Sequence, residues 1–135
     1  TYSGHPVSCA VALKTLEIYE RDKVFQHAKK VGEYFQNSIK EILKEDYVGE
    51  VRGIGLIAGI ELYKDPLNKI AFEEVGKAGK ILSDTCQKNG LIVRPILDTV
   101  ALCPPLIISE KEVDELTDKL KKSLQEAKDE IMKVH

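Results

Sequence analysis

Apolar residues recur at Val24, Ala28, Val31, Phe35, Ile39 and Ile42 in steps of three and four, the stripe of an amphipathic helix. Asp22 stands where its cap belongs. Before it, the turn-forming run Thr1 to His5 leads into Pro6, which suits a first helical turn, and Val7 to Tyr19 is an alanine- and leucine-rich helical segment. The period changes after Asp46. Tyr47–Arg52 and Gly55–Leu62 are predicted to be extended, separated by a bend at Gly53-Ile54-Gly55, with Leu56, Ala58, Ile60 and Leu62 on one face and Ile57, Gly59 and Glu61 on the other. Tyr63 to Asn68 is a loop. Helical spacing returns from Phe72 to Lys88 through Val75, Ala78, Leu82 and Cys86, and Asn89-Gly90 stops it. Short strands follow at Leu91–Arg94 and Thr99–Cys103, with a loop from Pro95 to Asp98 between them. Pro104-Pro105 ends the second strand.

Ser109 and Glu112 have capping-box spacing and open a last helix, whose apolar stripe is Val113, Leu116, Leu120, Leu124 and Ile131. Glu115–Lys119 and Asp118–Lys122 pair on its wet side. The order helix, helix, strand, strand, helix, strand, strand, helix predicts an α+β fold of two layers: a small, mainly antiparallel sheet covered by helices on one face.

At 135 residues and 43% hydrophobic content the chain matches one domain in size. Twenty basic against 22 acidic residues leave a formal charge of −2, which gives no electrostatic reason to expect nucleic acid or an anionic membrane as partner. No apolar run approaches the length of a membrane span, and no signal-peptide pattern opens the chain. Cys9, Cys86 and Cys103 are widely spaced and odd in number. That pattern suits reduced thiols used as small core residues, hence a cytoplasmic setting, and His5, His27 and His135 show no metal-ligand spacing.

Three polar features remain outside the periodicity. The loop Thr1 to Pro6 offers hydroxyls and a flexible glycine before a helix N-terminus, which suits an anion such as a phosphate, or simply a capping turn. Arg94 ends an apolar strand, where a guanidinium either grips a carboxylate in two-pronged fashion or sits solvated. Glu61 reads as a residue on the wetter face of its strand. The glycines of Val51–Leu56 do not make a dinucleotide loop, because the third glycine is missing and no helix follows.

Thr1-Tyr-Ser-Gly-His-Pro before a helix, Val51-Arg-Gly-Ile-Gly-Leu-Ile-Ala-Gly-Ile-Glu61, and Gly90-Leu-Ile-Val-Arg-Pro followed by Asp98-Thr-Val-Ala-Leu-Cys-Pro-Pro-Leu-Ile-Ile108 stand in one register. Together they resemble the C-terminal third of class-III, pyridoxal-phosphate-dependent aminotransferases, closest in flavour to the omega-amino acid:pyruvate type. The resemblance implies a homodimer in which Thr1 donates its hydroxyl to the cofactor phosphate of the neighbouring subunit. It implies that Arg94 pairs with the substrate carboxylate and swings aside when an amine without one binds. Residues 1–20 would be a loop and interdomain helix, and 21–135 the small domain.

In that family the Schiff-base lysine, the carboxylate facing the pyridine nitrogen and the stacking aromatic precede the position of Thr1. The expectation is therefore no catalytic residue in this chain and no activity from it alone, whether it is part of a longer enzyme or a natural remnant. The parent would move an amino group from an amine or omega-amino acid to a 2-oxo acid such as pyruvate, although decarboxylases and aminomutases share such domains. The alternative is a non-catalytic α+β association module.

Overall fold

The computed structural model describes residues 3–134. Thr1, Tyr2 and His135 lie outside the described residues. The elements follow the expected order: α1 (Pro6–Arg21), α2 (Val24–Lys40), a short 3-10 turn, β1 (Val48–Ile54), β2 (Ile57–Leu62), α3 (Lys77–Lys88), β3 (Arg94–Ile96), β4 (Thr99–Leu102) and α4 (Glu110–Ile131). The strands form one sheet in the order β1-β2-β4-β3, and every pair is antiparallel.

One face of this sheet is a core. Ala58, Ile60 and Leu62 of β2 and Val100 and Leu102 of β4 are buried together with Phe35 and Ile39 of α2, Leu82 of α3, and Leu120 and Leu124 of α4. Buried polar groups are satisfied inside this layer. The Tyr47 hydroxyl donates to the Leu124 carbonyl at 2.6 Å, and burial raises its pKa far above the ordinary phenol range. His27 Nε2 meets the Ile108 carbonyl at 2.8 Å, which ties α2 to the segment entering α4. The capping box forms as the spacing predicts: the Glu112 N–H donates to Ser109 Oγ at 3.3 Å and the Ser109 N–H to the Glu112 carboxylate at 2.8 Å.

Several local expectations are corrected. Asp22 does not cap α2: it lies at the end of α1, paired with Arg21 at 2.7 Å, and Lys23 makes the turn in the left-handed region at φ 51°. Helix α3 begins at Lys77 because Gly76, at φ 83°, breaks the spacing that runs back to Phe72. On α4 Glu115–Lys119 pairs at 2.6 Å, whereas Lys122 reaches toward Glu126 at 3.7 Å rather than Asp118. Of the three thiols only Cys86 is a core residue; Cys9 and Cys103 are exposed.

Helix α1 stands apart. None of its residues is buried, and Val7, Val11, Leu13 and Leu16 are all more than half exposed. It meets the fold chiefly through α2, where the Tyr19 ring packs edge-on against Phe25 at 5.1 Å between centroids.

Candidate functional site

The opposite face of the sheet is covered by no helix among the described residues. Register places Glu50, Arg52 and Ile54 of β1, Ile57, Gly59 and Glu61 of β2, Thr99 and Ala101 of β4, and Arg94 and Ile96 of β3 on this one face. One row runs across all four strands: Arg52, Gly59, Ala101, Arg94. The two guanidinium-bearing residues therefore stand on opposite edge strands, about 14 Å apart at three strand spacings, with the two smallest side chains of the face between them.

The two arginines have different surroundings. Arg52 hydrogen-bonds to Glu61 across the strand pair and lies 3.6 Å from Glu50, and the Glu61 carboxylate raises its already high pKa. Tyr63 joins this group, its own pKa raised by burial and then by Glu61. Arg94 is exposed, and its side chain makes no hydrogen bond or ion pair among the described residues. It is a cation on an open surface without a compensating carboxylate, and such a group holds an anion better than one already paired.

The setting of Arg94 differs from the expected one. The strand does not run from Leu91 to Arg94. It begins at Arg94, because only Arg94, Pro95 and Ile96 lie opposite Ala101, Val100 and Thr99 of β4. Leu91 and Val93 instead pack partly against the core. Pro95, without an N–H, is tolerated because β3 is an edge strand. The connection to β4 is a tight turn at Leu97-Asp98, with Leu97 at φ 54°.

Asp98 was not singled out as a site residue by the sequence, and it organises this turn. Its carboxylate accepts from the backbone N–H of Gly76 at 2.8 Å and of Gly79 at 3.1 Å, while its carbonyl accepts from the Leu62 N–H at 2.9 Å. The local signal was only an aspartate beside a turn; its partners are 22 and 19 residues away. Thr1, the expected phosphate contact, lies outside the described residues, so the structure does not bring it together with Arg94 or separate it from it.

None of the four strands among the described residues carries a lysine. Among the described residues no three His, Cys, Asp or Glu side chains come together as metal ligands, and no helix is long and apolar enough to cross a membrane.

Comparison with known proteins gives this geometry a context. Residues 1–124 match the family model described as aminotransferase class-III. The chain is 37% identical over 131 residues to a probable gamma-aminobutyrate transaminase 3, mitochondrial, of Oryza sativa subsp. indica, covering 97% of this chain and 26% of that protein. It is 37% identical over 127 residues to the putrescine–pyruvate aminotransferase of Pseudomonas aeruginosa, covering 93% of this chain and 28% of that one. Among solved structures, the omega transaminase of Pseudomonas jessenii in complex with PMP superposes with a TM-score of 0.91 at 35% identity, over 96% of this chain and 29% of that one. A transaminase with L-ala gives 0.91 at 40% identity, over 97% and 30%. The chain thus spans under a third of the length of these relatives. A non-catalytic association module is not favoured by these matches. Three motifs in register, a four-stranded antiparallel sheet with one open face, and a family match over nearly the whole length lead to one conclusion: this chain belongs to the class-III aminotransferase family.

Proposed function

We propose that this chain is the small-domain portion of a pyridoxal-phosphate-dependent enzyme that transfers an amino group from an amine or omega-amino acid to a 2-oxo acid such as pyruvate, with Arg94 as the group that holds the substrate carboxylate. The observation that carries the assignment is the uncompensated guanidinium of Arg94 on the open face, one edge strand removed from the buried core. Its planar fork can bind both oxygens of a carboxylate and so fix the far end of an omega-amino acid, leaving the amine to project from the face. A donor without a carboxylate needs no such grip. The names of the relatives span both donor kinds, a gamma-amino acid and a diamine, which supports this range.

Pyridoxal phosphate, when bound, supplies the electron sink that makes the carbon bearing the amine acidic. Of this chain's residues, Thr1 is proposed to touch its phosphate across a homodimer interface. Residues 1–20 are proposed as the loop and interdomain helix and 21–135 as the small domain. Exposed apolar residues on both sides of α1, Val7 and Val11 on one and Leu13 and Leu16 on the other, support surfaces that the rest of the enzyme covers. Free thiols at Cys9, Cys86 and Cys103 support a reducing compartment such as the cytoplasm.

The test is product identity. The full-length enzyme, given pyridoxal phosphate, β-alanine or 1-phenylethylamine, and pyruvate, is expected to form alanine in step with loss of donor, followed by chromatography. Consumption of the amino acid with release of carbon dioxide and no alanine would overturn the transaminase assignment in favour of a decarboxylase.

A further inference from the structure

We propose that Asp98 is a positioning residue for carboxylate recognition: it clamps the β3–β4 hairpin onto the N-terminus of α3 and so sets where the Arg94 guanidinium stands. This rests on the reading of Arg94 as the carboxylate-binding group.

Strand β3 has little of its own to hold it. It is three residues long, lies at the sheet edge, pairs only with β4, and contains Pro95, which cannot donate to a ladder. Its turn contains a non-glycine residue, Leu97, in the left-handed region at φ 54°. Such a conformation persists only where the surroundings over-determine it.

Here α3 supplies the surroundings. The helix opens at Gly76 without a side-chain cap and without an acidic residue in its first turn, so its N-terminal N–H groups and the positive end of its dipole are left for another segment. Asp98 fills that role across the chain, one carboxylate oxygen on the Gly76 N–H and the other on the Gly79 N–H. The approach is close enough to require glycine: a Cβ at Gly79 would lie 2.0 Å from the Leu97 carbonyl oxygen. The carboxylate of Asp98 is spent on the helix, and Arg94 stands four residues away on the same hairpin. A displacement of the turn is therefore passed to the guanidinium through a three-residue strand whose only ladder partner among the described residues is β4. Misplacement of a binding group by an ångström can cost a reaction about a hundredfold.

The experiment uses the full-length enzyme with β-alanine and 1-phenylethylamine, each half-reaction followed separately by the cofactor spectrum. Asp98→Ala is expected to lower kcat/KM for β-alanine at least about tenfold more than for 1-phenylethylamine, chiefly through KM, since what is lost is the placement of a binding group. Asp98→Asn, which keeps one carbonyl acceptor for the helix, should recover part of that selectivity. Gly79→Ala, which pushes on the same turn from the helix side, should reproduce the loss. In an Arg94→Ala background Asp98→Ala should add no further discrimination between the donors, because it acts through the arginine. If Arg94→Ala is donor-selective but Asp98→Ala slows both donors equally, or its effect multiplies with that of Arg94→Ala, Asp98 is structural and the proposal is overturned. If Arg94→Ala itself is not donor-selective, the reading of Arg94 falls and the proposal with it. Should Asp98→Ala fail to fold, Asp98→Asn and Gly79→Ala carry the same comparison.

Discussion

Along β2, Ala58, Ile60 and Leu62 enter the core, while Ile57, Gly59 and Glu61, one residue out of step, stand on a face that no helix among the described residues covers. The covered face is uniformly apolar and closed by α2, α3 and α4. The open face mixes three isoleucines that are more than half exposed, Ile54, Ile57 and Ile96, with a paired arginine, an unpaired arginine and a floor of Gly59 and Ala101. A face built only to meet water does not need those isoleucines, and a face built only to pack does not need Arg94. The mixture fits a surface on which a larger partner settles and a charged ligand is held.

This contrast predicts that the two faces respond differently to the same substitution. Ile60 is fully buried, and Ile60→Ala should destabilise the fold by about 3 kcal/mol in urea denaturation, through lost burial and the cavity left behind. Ile57→Ala, on the other face of the same strand, should cost less than about 0.5 kcal/mol. Equal costs would mean that the open face is closed by something in this chain.

The next effect belongs to Tyr47. Tyr47→Phe removes the bond to the Leu124 carbonyl and should cost about 1 to 1.5 kcal/mol at neutral pH. The folded protein holds the phenol's proton more tightly than the unfolded chain does. The contribution is therefore complete below the ordinary tyrosine pKa, about 10, and is lost as pH rises from there toward the folded value. The wild type should lose stability above about pH 10 more steeply than Tyr47→Phe, by at most about 1.4 kcal/mol per pH unit. Parallel curves would show that Tyr47 is not protected by burial.

Association should follow α1. The 135-residue chain made alone is expected to self-associate through the exposed apolar residues of α1, and Val11→Lys with Leu16→Glu, one on each side of the helix, should shift it toward monomer in sedimentation. A wild-type chain that stays monomeric at high micromolar concentration contradicts this. Smallest of all is the Arg52–Glu61 pair, half exposed on the arginine side, whose removal by Arg52→Ala should change stability by less than about 1 kcal/mol. A larger loss would show that the cluster with Glu50 and Tyr63 bears structure.

The covered face was legible in the sequence because burial writes a period: the stripes through Phe35 and Ile39 and through Leu120 and Leu124, and the alternation from Leu56 to Leu62, each reappear as core. The Ser109–Glu112 cap was legible because both partners are local. Asp22 misled although its partner is local too, since the adjacent Arg21 competes for its carboxylate at 2.7 Å. The start of β3 was not visible because Leu91 and Val93 are apolar for packing and not for pairing, and only the register with β4 decides which residues are strand. Asp98 left no pattern at all, its partners being the backbone of a distant helix. Arg94 could be placed near a strand end, and Thr1 in a loop suited to an anion or a capping turn, from the residues alone, but the role of each came from the family resemblance.

The central claim is that the open face holds a carboxylate through Arg94, and the half-reaction of the full-length Arg94→Ala enzyme tests it most directly. Charge-assisted pairs contribute about 1.5 to 3 kcal/mol. The account therefore predicts a loss in kcat/KM for β-alanine of roughly ten- to a hundredfold, a much smaller loss for 1-phenylethylamine, and partial recovery in Arg94→Lys, whose ammonium lacks the planar fork. An equal loss for both donors would contradict it and leave Arg94 as an edge-strand residue without a part in substrate recognition.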